Sequence, residues 1–265
     1  MQQDDTFPTA LITGASSGIG YEYARQLAAM GYNLILISNE GERLNQIADE
    51  LVSEYGIQVT PFYADLSRPD AARQLYDYFG KRGFEVDILI NNAGVFSFSD
   101  IADISHRNLK QMVNLHVVTP TLLCRYFGIA MRQRKHGYIL NMSSLAAWTP
   151  YPGIAAYSAT KAYLKTFSHA LYNEMKPYNV GVTVVTPGAV ATGLYRLSEK
   201  LKKIGIRAGI ILTPEKLAKI ALRGMFKRKK RVFPGFVNHL FVCLYPLLPN
   251  AFLRATKKKL AKYEW

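Results

Sequence analysis

The chain predicts an α/β fold in which helices cover both faces of a doubly wound parallel sheet, arranged as a single domain. Two observations predict it. Short apolar runs alternate with longer helical stretches from residue 9 to about residue 192, the succession of strand, crossover helix and strand. The first of these runs leads through a glycine-rich turn straight into a helix. With 265 residues, 49% of them hydrophobic, one such domain can bury a substantial core.

The first strand, Thr9 to Thr13, runs into Gly14-Ala15-Ser16-Ser17-Gly18-Ile19-Gly20 and then a helical run from Tyr21 to Met30. Glycines let a backbone turn sharply and approach a pyrophosphate, whose charge is met by the amides at a helix N-terminus. A tight loop is the plain alternative, but the flanking strand and helix favour nucleotide binding and a Rossmann-type sheet. A second strand, Asn33 to Ser38, precedes a helix from Arg43 to Tyr55. The end of such a strand normally carries an acid for a ribose 2′-hydroxyl or a base for a 2′-phosphate, and here stand Ser38 and Asn39, which are neither.

A third strand, Gln58 to Tyr63, ends in Ala64-Asp65-Leu66, and Pro69 starts the next helix. The fourth, Val86 to Ile90, leads to Asn91-Asn92-Ala93-Gly94, small residues where open α/β sheets admit a flat ligand. One long helix is expected from Ser105 to about Arg132, with Asn114 in its apolar part. Such an asparagine satisfies a local hydrogen bond or holds a functional water. The fifth strand, Gly137 to Met142, ends at Ser143-Ser144, and the helix Ala155 to Lys176 opens with Tyr157-Ser158-Ala159-Thr160-Lys161. Residues four apart on a helix share a face, so the Lys161 ammonium can favour the phenolate of Tyr157 and draw its pKa toward neutrality. A phenol so tuned is a usable general acid or base. A sixth strand, Gly181 to Val185, ends in Thr186-Pro187-Gly188-Ala189-Val190-Ala191-Thr192.

Beyond this point the character changes. Residues 1–195 carry 15 Lys and Arg against 16 Asp and Glu, whereas residues 196–265 carry 18 against 3, so the net charge of +14 belongs to the last quarter. Residues 194–211 form an apolar and basic stretch that suits a lid within the span of about 190–212, since lids exclude water from a reacting centre. A helix from Glu215 to Lys227, the cluster Arg228-Lys229-Lys230-Arg231 and a short strand at Val232-Phe233 follow. Val232 to Leu253 contains no charged residue, yet Pro234, Gly235, Pro246 and Pro249 break it as a spanning helix. It reads either as an interfacial segment on an anionic membrane, between two basic clusters, or as a tail over the pocket or a subunit interface. The expected division is thus a nucleotide-binding and catalytic unit at 1–235 and a basic, apolar extension at 236–265. Cys124 and Cys243 offer neither a disulfide framework nor metal spacing, and with Asp4 and Asp5 where an export signal would be basic, a cytoplasmic setting is expected. No nucleic-acid module accompanies the basic tail, and none is expected to bind.

Taken together, Thr13-Gly14-Ala15-Ser16-Ser17-Gly18-Ile19-Gly20, Asn91-Asn92-Ala93-Gly94, Asn114, Ser144, Tyr157-Ser158-Ala159-Thr160-Lys161 and Pro187-Gly188 make the chain resemble a classical short-chain dehydrogenase/reductase. The resemblance implies an NAD(P)-dependent oxidoreductase interconverting a carbonyl and a secondary alcohol. Tyr157 would exchange the proton, Lys161 would tune it and hold the nicotinamide ribose, Ser144 would bond the substrate carbonyl, and Asn114 would keep a relay water. Gly14, Ser16, Ser17, Gly18, Ile19 and Gly20 would hold the pyrophosphate and its ribose, Ser38 and Asn39 the adenosine ribose, and Asp65 and Leu66 the adenine. Asn92, Ala93 and Gly94 would line the dinucleotide path, and Pro187, Gly188, Val190 and Thr192 would meet the carboxamide. Without an acid at Ser38, and with Asn39 able to donate, the preference leans shallowly to NADP(H) over NAD(H). The apolar lid and tail suggest a hydrophobic, acyl- or steroid-like substrate, and the family suggests a dimer or tetramer. A non-catalytic dinucleotide sensor or scaffold is the rival reading, and the intact Asn114, Ser144, Tyr157 and Lys161 set argues against it.

Overall fold

The computed structural model describes residues 7–80, 82–193 and 199–260. Its elements follow the chain as β1 (Thr9–Thr13), α1 (Gly18–Ala28), β2 (Asn33–Ser38), α2 (Gly41–Tyr55), β3 (Val59–Tyr63), α3 (Ala71–Gly80), β4 (Ile88–Asn91) and α4 (His106–Val113). Then come α5 (Thr119–Arg134), β5 (Gly137–Met142), α6 (Ala155–Met175), β6 (Val180–Val185), α7 (Glu199–Arg207), α8 (Pro214–Phe226), β7 (Arg231–Val232), α9 (Phe236–Leu244) and α10 (Asn250–Leu260).

The strands form one parallel sheet in the order β3-β2-β1-β4-β5-β6-β7. The chain winds outward from β1 to β3 and then returns to place β4 on the other side of β1. In register, Leu11 stands between Ile35 and Leu89. Because successive side chains of a strand point to opposite faces, Leu11, Ile35 and Leu89 pack with Leu75, Phe79, Leu123 and Met131 in one buried layer. Ile12, Leu36 and Ile90 pack with Tyr23, Leu27, Leu44, Ile47 and Leu222 in the other. Both faces are therefore covered, as a parallel sheet built from crossover helices requires.

The long helix expected from Ser105 is interrupted. A π-helical turn, Asn114–Val118, separates α4 from α5. Thr119 N–H reaches back five residues to the Asn114 carbonyl, and Pro120, which has no N–H, removes the next donor of a regular ladder. The wider turn absorbs that missing bond.

Of the segment expected to act as a lid, residues 194–198 lie outside the described residues. Residues 199–207 form α7, and the base is tied down by a bridge between Val190 and Leu212, with both side chains buried. The C-terminal extension folds back on the domain. Asn238 is buried and its amide donates to the Pro234 carbonyl at 2.8 Å, while its side chain occupies the space a Cβ on Gly188 would need. Tyr151 donates to Thr256 Oγ1 at 2.7 Å, Tyr245 donates to the Pro150 carbonyl, and Lys257 pairs with Asp100. Among the described residues no single helix is long and apolar enough to cross a membrane; residues 236–247 and 250–257 would qualify by length and composition only as a pair, and they are bent by 118°.

Candidate active site

A cleft of about 400 Å³ opens at the carboxyl ends of β1 and β4, where the winding direction of the sheet reverses. The glycine turn forms its floor. Gly14 is left-handed at φ 66°, and a side chain there would meet the backbone of Ala93 at 2.9 Å; one on Gly20 would collide with the Gly14 carbonyl. Gly18 begins α1, and the Ser17 side chain does not cap that helix, so its first amides stay available to an anionic group over the turn. Asn92 fastens the second wall: its amide donates to the carbonyls of Thr13 and Gly14 at 3.0 and 3.1 Å.

At the β2 end, Ser38 Oγ donates to Ser16 Oγ at 2.9 Å and accepts from the Glu40 amide at 3.1 Å. Asn39 and Glu40 line the cleft beside it. Asp65 turns its carboxylate onto Ser67, accepting from that residue's amide and hydroxyl at 2.9 and 2.7 Å, which fixes the loop that carries Leu66 into the cleft.

The opposite end holds Ser144, Tyr157 and Lys161. One turn of α6 separates Tyr157 from Lys161, and both are buried. The Lys161 ammonium donates to the Met142 carbonyl at 3.0 Å and lies 5.8 Å from the centre of the Tyr157 ring. Burial lowers its pKa to about 8. The Tyr157 ring meets Phe96 at 5.0 Å and His116 at 5.7 Å, both in T-shaped contact, which restricts how the phenol can turn. Ser144 Oγ accepts from the Ala146 amide at 3.2 Å, so the hydroxyl proton can be directed to an oxygen in the cleft.

The sequence of the short chain dehydrogenase family, as a model, matches residues 8–202. The chain belongs to the short-chain dehydrogenase family. It is 34% identical over 197 residues to the very-long-chain 3-oxoacyl-CoA reductase of Anas platyrhynchos, covering 72% of this chain and 62% of that one. With the hydroxysteroid dehydrogenase-like protein 1 of Gallus gallus it shares 31% identity over 232 residues, covering 87% of this chain and 68% of the relative. The chain thus spans less than two thirds of the duck reductase. Among solved structures, a short-chain dehydrogenase from Sphingobium yanoikuyae in complex with NADPH superposes with a TM-score of 0.77 at 28% identity, over 92% of this chain and 98% of that one.

The fold of a short-chain dehydrogenase brings together almost every residue singled out in the sequence. Gly14, Ser16, Ser17, Gly18, Ile19, Ser38, Asn39, Asp65, Leu66, Asn92, Ala93, Gly94, Ser144, Tyr157, Lys161, Pro187, Gly188, Val190 and Thr192 all border the one cleft. Two do not. Gly20 lies behind the turn, where its lack of a side chain permits close packing, and Asn114 donates its side-chain amide to the Ser67 carbonyl at 2.9 Å. That bond pins the π-helical turn to the Asp65 loop. Sequence reasoning missed Glu40, Val95 and Met142, which border the cleft, and His116, which stands behind it. Met142 contributes a backbone carbonyl, for which a sequence carries no signal.

Proposed function

We propose that this protein is an NAD(P)-dependent oxidoreductase that interconverts a carbonyl and a secondary alcohol on a hydrophobic substrate. The observation that carries the reading is the convergence of Ser144, Tyr157 and Lys161 at one end of a cleft whose other end is an uncapped, glycine-lined helix N-terminus. These residues fit a nicotinamide dinucleotide: no side chain fills the turn, and amides and hydroxyls line its course. When bound, that group supplies the hydride. The chain does the rest. Tyr157 gives the proton to the substrate oxygen in reduction and takes it back in oxidation, Ser144 donates to the same oxygen, and the Lys161 cation favours the phenolate. Asn114 serves the site indirectly, holding the turn behind it.

The substrate class follows from two things: the apolar surface around the C-terminal helices, and relatives whose names specify very-long-chain 3-oxoacyl-CoA and hydroxysteroid chemistry. A panel of long-chain 3-oxoacyl thioesters, steroid ketones and small hydroxylated ketones, followed by nicotinamide absorbance with each cofactor, tests both. Turnover confined to apolar ketones is expected. Cofactor binding without turnover on any of them would favour a dinucleotide sensor instead.

For the cofactor the reading is a shallow preference for NADPH over NADH. Asn39 can donate to a 2′-phosphate, and the NADPH complex of the Sphingobium relative is in line with this. Glu40 keeps the preference shallow, because this acidic residue borders the same end of the cleft. Glu40→Gln should therefore tighten NADPH about five-fold while leaving NADH nearly unchanged, the effect of removing one like charge at a partly screened distance. Fluorescence titration of both cofactors reads this out. Equal tightening of the two would show that Glu40 does not face the 2′ position.

The C-terminal extension adds a surface. Phe236, Leu240 and Leu244 repeat every fourth residue along α9 and are all exposed, with Val237 and Phe241 beside them and Leu247 and Phe252 beyond. An apolar stripe turned outward is the reverse of an ordinary surface helix and marks an interaction site. Exposed Lys227, Lys229 and Arg231 precede it along the chain and exposed Arg254 follows it, which matches an anionic lipid surface on which each basic residue contributes about 1 kcal/mol. The reading is peripheral membrane binding. Phe236→Glu with Leu247→Glu alters exposed positions alone, and it should abolish co-sedimentation with phosphatidylserine-containing vesicles at low salt. If both proteins stay in the supernatant but the wild type is a dimer by light scattering and the variant a monomer, the stripe is a subunit interface.

A further inference from the structure

His116 is buried at 1% exposure in the π-helical turn, outside the cofactor cleft, and takes no part in the chemistry described above. Its two ring nitrogens are both engaged. Nε2 lies 3.0 Å from the backbone nitrogen of Val95, and Nδ1 lies 3.0 Å from Thr160 Oγ1. A backbone N–H can only donate, so Nε2 must be the bare nitrogen. In a neutral ring the proton then sits on Nδ1 and is given to Thr160. The Thr160 hydroxyl passes its own proton to the Tyr157 carbonyl at 2.8 Å. The order of donors is complete: Val95 to His116, His116 to Thr160, Thr160 to the turn of helix that carries Tyr157 and Lys161.

This chain of bonds joins three segments that the sequence keeps apart. Val95 follows Asn92-Ala93-Gly94 along the cleft wall, His116 belongs to the turn between α4 and α5, and Tyr157 and Thr160 belong to α6. The ring of His116 also stands against the ring of Tyr157. We propose that His116 is a positioning residue for the reaction, holding the Val95 backbone and the Tyr157 turn at a fixed separation as an Nδ1–H imidazole. The proposal rests on the oxidoreductase reading for its kinetic consequence, but not for the tautomer.

The ring cannot gain a second proton in place, since an N–H at Nε2 would face the N–H of Val95. Burial and the Lys161 cation act in the same direction, holding its pKa well below the usual imidazole value. Among the described residues, Lys161 and Tyr157, both on α6, are the titratable groups that face it. His116 is therefore a fixed strut through the pH range in which exposed histidines change charge.

Two measurements on the full chain test this. With histidine labelled in ¹⁵N, the long-range proton–nitrogen spectrum should show the His116 ring, identified by its loss in His116→Gln, as an Nδ1–H tautomer unchanged from pH 5 to pH 8.5. A His116 ring that titrates with the others, or carries its proton on Nε2, would overturn the proposal whatever the enzyme turns over. On an apolar ketone that the wild type reduces, His116→Leu should lower kcat by about 10- to 100-fold with KM and NADPH affinity little changed, as a misplacement of about 1 Å does. His116→Gln, whose amide oxygen can still accept from Val95, should recover most of that loss. Wild-type kcat in His116→Leu, or no recovery in His116→Gln at equal thermal stability, would remove His116 from the reaction. If no ketone is turned over even by the wild type, the oxidoreductase reading fails and the spectrum alone decides the strut.

Discussion

Tyr157→Phe is expected to lower turnover by roughly 10² to 10⁴-fold, the usual contribution of a positioned acid or base. The substitution removes one hydroxyl and leaves the ring in its T-shaped contacts with Phe96 and His116, so neither the fold nor the cleft should change. Lys161 keeps its bond to the Met142 carbonyl. Cofactor affinity should accordingly stay close to that of the wild type. The measurement is a pair: kcat on the best apolar ketone by nicotinamide absorbance, and NADPH binding by fluorescence. A variant that keeps wild-type kcat would refute the acid–base role of Tyr157, and one that loses NADPH binding would show that the phenol is chiefly a cofactor contact.

Lys161→Met should abolish turnover without lowering stability, because the buried ammonium is a burden on the folded state. Its pKa is about 8 in the fold against 10.5 for an ordinary lysine, and the cause is burial. The native state therefore binds fewer protons than the unfolded chain between those two values. Stability rises with pH across that window, and below about pH 8 the full penalty is present. At about 1.4 kcal/mol per pKa unit the penalty near neutrality is about 3 kcal/mol. Methionine fills a similar volume and removes it, while leaving the Met142 carbonyl without the ammonium, a loss of about 1–3 kcal/mol. The two nearly cancel, so the midpoint of thermal unfolding at pH 7 should be equal to or above that of the wild type. A fall of several degrees in circular-dichroism melts would contradict this account. The same pKa sets a kinetic limit: reduction by the wild type should weaken as the pH rises through about 8 and Lys161 loses its charge, if the cation is what tunes Tyr157.

The order of strands and helices was legible in the sequence because each element carries its own local cause. Thr9–Thr13 and Gly137–Met142 are apolar runs of strand length, and Gly14 and Gly18 adopt positive φ that few other residues tolerate. Tyr157 and Lys161 were legible as a pair because a helix fixes residues four apart on one face, whatever surrounds it. The interruption at Asn114–Val118 was less so, since Pro120 signals a lost donor but not how the backbone will absorb it.

What the tertiary structure alone decided concerns groups that meet across long separations. His116 shows in the sequence as one more polar residue in an apolar helix; its role exists only because Val95 and Thr160 arrive on either side of the ring. Asn114 was legible as a polar side chain that satisfies a local hydrogen bond or holds a water, but that its amide reaches the Ser67 carbonyl, 47 residues away, is decided by the fold. The lowered pKa of Lys161 is likewise a property of burial, which spacing along a helix does not contain. Local sequence fixes which backbone shapes are allowed and which side chains share a face, whereas desolvation and the partner of each polar atom depend on packing between distant segments.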